Sequence, residues 1–396
     1  MLTPEEIQGI ANDLSSIYSR VENDCIATIA KAIASGQNIN DAQLWQMRKL
    51  ADVGFLKRDL YTAISRASKA SIQDVETLVE RALSKSIYND FDIYEALSKT
   101  TGSSINRFID LQNNETFQRI LRTSIKGVKN SLNLTGTKAL QGSIVAYTKA
   151  INMAYLEMAS GNMSRQDAVE YAVSRIAQSG ITIVDDKKKV KTNELVSKKG
   201  ELFTTYKNGE KIHVYPLDSA VRRNICTQIN KASSEVCLAD CDELGVSLVE
   251  TSWHNGARPE HEVWQGKVFS LDPNNKKYPY FYGLQDAGCP EYGSMLGICG
   301  INCYHSFSPY IEGSPLRSQE GKLSREDNNK QYENQQKQRG YERQLRALKR
   351  EKVALTSAGY EDRAKQIQDK INTKTANYTA FLREAGLTRR TLLERV

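Results

Sequence analysis

SWHNGARPEHEVWQGKVFSLDPNNKKYPYFYGLQDAGCPEYGSMLGICGINCYHSFSPY, residues 252–310, is unlike the rest of the chain. It holds three of the four histidines (His254, His261, His305), three of the seven cysteines (Cys289, Cys299, Cys303) and two of the three tryptophans. These side chains lie among glycines, prolines and tyrosines, a composition that makes tight turns and close backbone approaches rather than long regular elements. Short apolar runs border it. Residues 245–250 read as one strand, 267–270 as a second, and the run into Ser308-Pro-Tyr310 as a third. Strand ends joined by a long irregular loop predict a compact α+β module, and a specific chemical or binding site of the chain is expected here.

Upstream, the module extends back to residue 181. Ile181-Thr-Ile-Val184 is β-like, and two alternating runs, 202–206 and 211–215, flank Asn208-Gly209. Both turn residues tolerate positive φ, so the pair signals a hairpin. His213 sits on its second strand and reads as an edge residue. Pro216 ends the hairpin and Asp218 caps a helix that runs toward Leu244, with Cys237 and Cys241 on one face. A Cys-x3-Cys pair of this kind can bind a metal, but half-buried small residues are the simpler reading.

Residues 1–180 read as helices throughout. Thr3, Pro4 and Glu6 form a Thr-x-x-Glu capping box with proline at the first helical position. Apolar residues follow at Ile7, Ile10, Leu14, Ile17 and Val21, steps of three and four that make one buried stripe, and Gly36 is the expected stop. Further helices are predicted over 41–68, 72–86, 89–99, 103–130, 137–160 and 164–178. This half contains no histidine and a single cysteine, Cys25, so it reads as scaffold.

After Pro315 the chain turns polar. Ser324 can cap a helix, and Tyr341, Leu345, Leu348 and Leu355 recur in a narrow apolar stripe. Gly359 breaks it, and a second helix from Asp362 through Ile367, Ile371 and Tyr378 can fold back on the first, with Arg and Lys on the outer faces. The expected architecture is therefore mainly α with a small α+β module: a helical region at 1–180, the module at 181–315 and a basic helical tail at 316–396.

Composition limits the function classes. The 396 residues carry a net charge of +7, concentrated in the tail. Residues 317–396 hold 19 Lys and Arg against 11 Asp and Glu, while the other 316 residues hold 35 against 36. That concentration predicts contact with DNA or an acidic protein partner through 317–396, without sequence preference. No apolar run approaches the ~18 residues that span a bilayer, so no membrane is expected. Seven scattered cysteines do not describe a secreted disulfide framework.

Three readings of the central stretch compete. Cys299, Cys303 and His305, with Cys289, His261 or His254, supply the sulfur and imidazole donors that zinc takes tetrahedrally, although Cys-x3-Cys-x-His is not a standard zinc-ribbon spacing. His254, His261 and Arg258 could instead serve as base and anion clamp for a phosphodiester, with Asn302 near a metal. Paired acidic residues that would support such chemistry are missing. The favoured reading is structural: Ser252, His254, Arg258, His261, Gly266 and Asn302 brace an irregular loop that lacks enough backbone pairing of its own, and Arg258 is expected to be buried and hydrogen-bonded.

Several of these motifs together resemble a known family. Tyr206-Lys-Asn-Gly209, Ala220-Val-Arg222-Arg223, Gln228, Ser252-x-His-x-Gly-Ala-Arg-Pro-x-His-x-x-Trp-Gln-Gly-Lys-x-Phe269, Gly297 and Gly300-x-Asn-Cys-x-His305 are similar to the phage minor capsid protein 2 family, related to the Mu F-type head-morphogenesis proteins. In the tail, residues 338–349 and Phe381-Leu-Arg-x-x-Gly386-Leu-x-Arg389 add to the likeness. The resemblance covers 207–395 by motif and the first half by helical style alone. It implies a low-copy virion protein of a tailed phage, near the portal inside the head, that aids head assembly, packaging or ejection. Portal, major capsid or scaffolding proteins are the implied partners. The alternative is a metal-dependent nuclease or toxin-like enzyme delivered with the genome. Mu F-type proteins tend to end in Cys-x-Cys where this chain has Cys303-Tyr-His305, so the resemblance carries no metal over.

Overall fold

A computed structural model describes residues 1–35, 39, 41–102, 108, 110–184, 204–207, 210–287, 290–294, 297–300, 303–317 and 322–396. Over the described residues the chain is mainly helical with two small antiparallel sheets, as its pattern predicts. Helices α1 (Pro4–Ala34), α2 (Ala42–Ala51), α3 (Val53–Asn89), α4 (Phe91–Thr101), α5 (Glu115–Ala159) and α6 (Arg165–Ser179) lead into strands β1 (Thr182–Val184), β2 (Thr204–Lys207) and β3 (Glu210–Pro216). Helix α7 (Leu217–Glu243) is followed by β4 (Leu248–Thr251), β5 (Val268–Ser270) and β6 (Phe307–Pro309). Helices α8 (Arg325–Ser357) and α9 (Glu361–Ala385) come last.

The predicted capping box is present: Thr3 N–H donates to Glu6 Oε2 at 2.9 Å and Glu6 N–H to Thr3 Oγ1 at 3.3 Å. Gly36 and the hairpin turn Asn208-Gly209 lie outside the described residues, but Lys207 pairs with Glu210 across that turn, the register of a two-residue hairpin. Two expected breaks do not occur. Helix α3 runs through 68–72, starting after Asp52, and α5 runs through 130–137. In the second case Leu132, Thr135 and Ala139 are buried, and that burial outweighs the weak helical propensity of the Asn, Thr and Gly residues around them.

Contacts group the chain into two compact units, each assembled from three stretches. One comprises residues 1–14, 72–131 and 222–337, the other 15–71, 132–221 and 338–396. The division at 180 and 315 follows composition along the chain, whereas these units follow packing, and the two cuts differ.

The first unit is built on α7 and the sheet β5-β4-β6. Val249 of β4 lies opposite Phe269 on one side and Pro309 on the other. All four residues of β4 are buried. Their apolar partners include Cys237 and Cys241 from α7, Trp264, Phe269, Phe281, Ile298 and Phe307. The simpler reading of the Cys-x3-Cys pair is the one the packing gives, with both thiols in this core. Arg317 ties the end of the module to α4 through Asp90 at 2.8 Å and Asp92 at 3.1 Å.

The second unit contains β1-β3-β2 and the helical hairpin that α8, from residue 338 on, makes with α9. Gly359, at φ +86°, makes the turn, and Tyr341 stacks on Tyr378 and Phe381 with centroids 5.3 Å apart in each pair. Its basic residues do not all face outward, as the composition suggested. Arg346 and Arg350 are buried, Arg346 pairing with Asp218 at 3.1 Å and Arg350 with Glu22 at 3.4 Å. The Arg350 guanidinium also donates to the carbonyls of Ala177 and Gln178, at 3.2 and 3.4 Å, and so satisfies the open C-terminal end of α6. Glu22 in turn accepts from the backbone N–H of Ile181 at 2.7 Å. Between them Gly180 takes φ +72° and ψ 179°, a region that only glycine enters readily, and a Cβ there would stand 2.5 Å from Glu22 Oε1.

Burial pushes the Glu22 carboxyl up to about 7, while Arg350 opposes the shift. A folded pKa above the unfolded value means that the group favours folding most at low pH, and that this contribution is lost as pH rises through about 7. Arg350→Met removes the partner of the ionised form, so it should cost about 3–5 kcal/mol above that range and less at about pH 5, where Glu22 can be neutral. Gly180→Ala should cost about 1–3 kcal/mol from backbone strain alone. Chemical denaturation at both pH values measures these effects.

Candidate functional site

The expected site residues fall within the first unit, on either side of β4 and β5. Ser252 follows β4 directly and is buried; its Oγ accepts from Ser306 N–H at 3.0 Å and its own N–H donates to Ser306 O at 2.8 Å. Two chain segments 54 residues apart are thereby joined one residue beyond the β4–β6 ladder, whose last pair is Thr251 and Phe307. Gly266, at φ +61°, closes the first loop with its N–H on Thr251 O at 3.1 Å. A Cβ on Gly266 would lie 3.2 Å from the Trp253 ring, which explains glycine there twice over.

His261 occupies the end of a short 3-10 turn, Pro259–His261, opened by Arg258. The turn is pinned by His261 N–H donating to Arg258 O at 2.9 Å. His305 enters from the other side, just before β6, and both rings are buried, at 2% and 0% exposure. Their Nδ1 atoms lie 3.2 Å apart. The His305 Nε2–H donates to Gln265 Oε1 at 2.9 Å, which fixes its tautomer and leaves Nδ1 with a lone pair. Cys303 Sγ is 3.7 Å from that same Nδ1. The three donor atoms of His261, Cys303 and His305 all lie within 4.8 Å of one another.

The electrostatics of this cluster follow from burial. Burial, with His254, His261 and Arg258 nearby, holds His305 well below the ordinary imidazole range, so the ring is neutral. Burial likewise pushes the Cys303 thiol up to about 11, although the Cys303 sulfur accepts backbone hydrogen bonds that act against it. His254 is half-buried and lays its ring over His305, with centroids 4.1 Å apart, rather than joining the three donors. Trp264 completes the aromatic wall, 4.5 Å from His305 and 4.7 Å from His261.

The remaining expectations divide. Cys299 is buried at φ +59° and its Sγ lies 2.9 Å from Ser234 Oγ, outside the group of three donors. Arg258 is half-buried rather than fully buried, because the 3-10 turn it opens lies at the surface, with Pro259 and Glu260 exposed. Asn302 and Cys289 lie outside the described residues, and so does the side chain of His213.

Three bracing residues escaped the sequence reading. Asn230 of α7 donates from Nδ2 to the carbonyls of both Cys303 and His305, at 3.1 and 2.9 Å. Gln265 holds His305, and Asn328 of α8 accepts from Gly256 N–H at 2.7 Å. Asn230 could have been noticed as an amide beside Ile225 and Ile229 on a buried helix face. Asn328 lies in a run of polar residues where nothing distinguishes it.

Among the described residues, both rings are enclosed by their neighbours. What this geometry does well is hold an irregular loop in one conformation. Comparison with known proteins agrees with a structural part. The phage minor capsid protein 2 family matches residues 2–194 and 190–383. A protein named structural protein from Lactococcus phage LL-H is 24% identical over 351 residues, 86% of this chain and 84% of its own length. Another structural protein, from Lactococcus phage mv4, is 40% identical over 89 residues, 22% of this chain and 67% of its own. No solved structure matches. Two matches that together span residues 2–383 place this chain in the phage minor capsid protein 2 family.

Proposed function

We propose that the protein is a low-copy structural component of a tailed-phage head, near the portal and inside the capsid, where it aids assembly, packaging or ejection. The match of the minor capsid family over nearly the whole chain is the observation that carries this reading. The bracing of 252–310 adds to it, since a rigid side-chain-filled loop suits a part that must fit its neighbours. Partners are then the portal and the major capsid or scaffolding proteins.

A surface suited to such partners lies in the second unit. Leu44, Met47 and Leu50, three residues apart on α2, are 56%, 61% and 37% exposed, and Phe55 on α3 is 66% exposed. Grouped apolar exposure of this kind is characteristic of protein contact. DNA is a further partner of the basic tail. There the inward turn of Arg346 and Arg350 restricts the contact to exposed side chains such as Lys337, Arg343, Lys365, Lys370 and Arg383.

The portal-proximal reading is tested by peptide quantification of purified virions, which should give a ratio to the major capsid protein far below one; comparable amounts would sink it. Met47→Glu with Phe55→Glu should remove the protein from particles while leaving its thermal unfolding within about 0.5 kcal/mol of the parent, as surface changes do. For DNA, retention on duplex should fall with a log-log salt slope of roughly 0.9 per phosphate contact. Changing Lys337, Arg343, Lys365, Lys370 and Arg383 to Gln together should flatten that slope. Truncation is the wrong probe, because Leu345, Leu355, Ile367 and Tyr378 of the tail are core residues.

A further inference from the structure

We propose that His261 Nδ1, His305 Nδ1 and Cys303 Sγ bind a zinc ion that staples the two ends of the irregular loop. Two of the three donor separations are those of a tetrahedral site, and all three donor atoms lie within 4.8 Å of one another. With Zn–N near 2.05 Å and Zn–S near 2.3 Å, two nitrogens should be roughly 3.3 Å apart and a nitrogen and sulfur about 3.6 Å. The observed separations are 3.2 Å for the two Nδ1 atoms and 3.7 Å for His305 Nδ1 and Cys303 Sγ. Two imidazoles and one thiol form a mixed donor set that favours zinc over the oxygen-seeking cations.

Gln265 supplies the independent observation. A metal-bound histidine donates its other N–H to a fixed acceptor, and His305 Nε2 does this to Gln265 Oε1 at 2.9 Å. The arrangement directs the Nδ1 lone pair inward, toward Cys303 and His261. Asn230 meanwhile fixes the backbone of two of the three ligands, through the carbonyls of Cys303 and His305. When the Zn–S bond forms, the Cys303 thiol proton leaves to solvent, and both imidazoles bind neutral. The ion then links residue 261 to residues 303 and 305 across a segment that has few ladder hydrogen bonds of its own. Its role is independent of where the protein sits in the virion, so either reading can fail without the other.

The test uses full-length protein purified without chelator. Metal analysis should give close to one zinc per chain, and Cys303→Ser and His261→Gln should each lower it by about tenfold or more, whereas Cys299→Ser keeps it. Cobalt exchanged into the wild type should show a thiolate charge-transfer band. If the ligand variants do not fold, that band decides: its presence supports the site, and cobalt bound without it removes Cys303. A folded wild type that contains almost no zinc and takes up no added cobalt overturns the proposal, as does a folded Cys303→Ser with full zinc.

Discussion

Between residues 252 and 310 the backbone has few regular partners, and every part of the first unit depends on how that shortage is met. Strands β5 and β6 are three residues each, and the described residues between them lie mainly in turns, bends and one short 3-10 helix, Leu284–Ala287. A buried amide or carbonyl without a partner costs about 1–3 kcal/mol, so the stretch can be buried only if side chains reach its backbone. Ser252, Asn230, Asn328 and Thr251 do this, the last by accepting from Lys267 N–H at 3.1 Å and donating to Trp264 O at 2.7 Å. The histidines belong to the same scheme. They fill the space between Trp264 and Cys303, with the two Nδ1 atoms 3.2 Å apart and Cys303 Sγ 3.7 Å from that of His305.

How much of this could be read in advance depended on whether the cause was local. Most helices of the first half, the hairpin register and the folding back of α9 on α8 follow from period, caps and turns that sit within a few residues of one another, although the breaks at Asp52 and at 110–114 interrupt stretches read as continuous helix. The three strands of the second sheet were likewise found by their short apolar runs. The continuity of α3 and α5 was not legible, because burial of Leu132 and Thr135 is a tertiary fact that overrides weak local signals. At the site, the residue types with obvious chemistry were visible, and their grouping only in part. Cys303 and His305 are neighbours in sequence, while His261, offered there as one of three further donors, joins them in place of Cys299 through a chain path of more than 40 residues whose outcome no spacing rule decides.

The tail shows the same limit for charge. A count of Lys and Arg describes a basic arm, yet Arg346 and Arg350 are consumed inside the second unit by Asp218 and Glu22. Further along, Arg390 grips Glu342 with two contacts of 2.8 and 3.0 Å, and Arg389 grips Glu394 at 2.7 and 2.6 Å. Such bidentate pairs fix the hairpin's end in place. Membership of the minor capsid family and a chain built largely of braced, partner-satisfied polar groups are consistent with a part made to hold shape. No described helix is long and apolar enough to cross a membrane.

Amide hydrogen exchange on the full-length protein tests the central claim most directly, because it reads backbone satisfaction residue by residue. The N–H groups of Gly256, Lys267, Phe281 and Ser306, held respectively by Asn328, Thr251, Ser270 and Ser252, should exchange as slowly as those of β4 despite lying in or beside loops. Exchange of these amides at the rate of an open, solvated loop, with β4 still protected, would contradict the account.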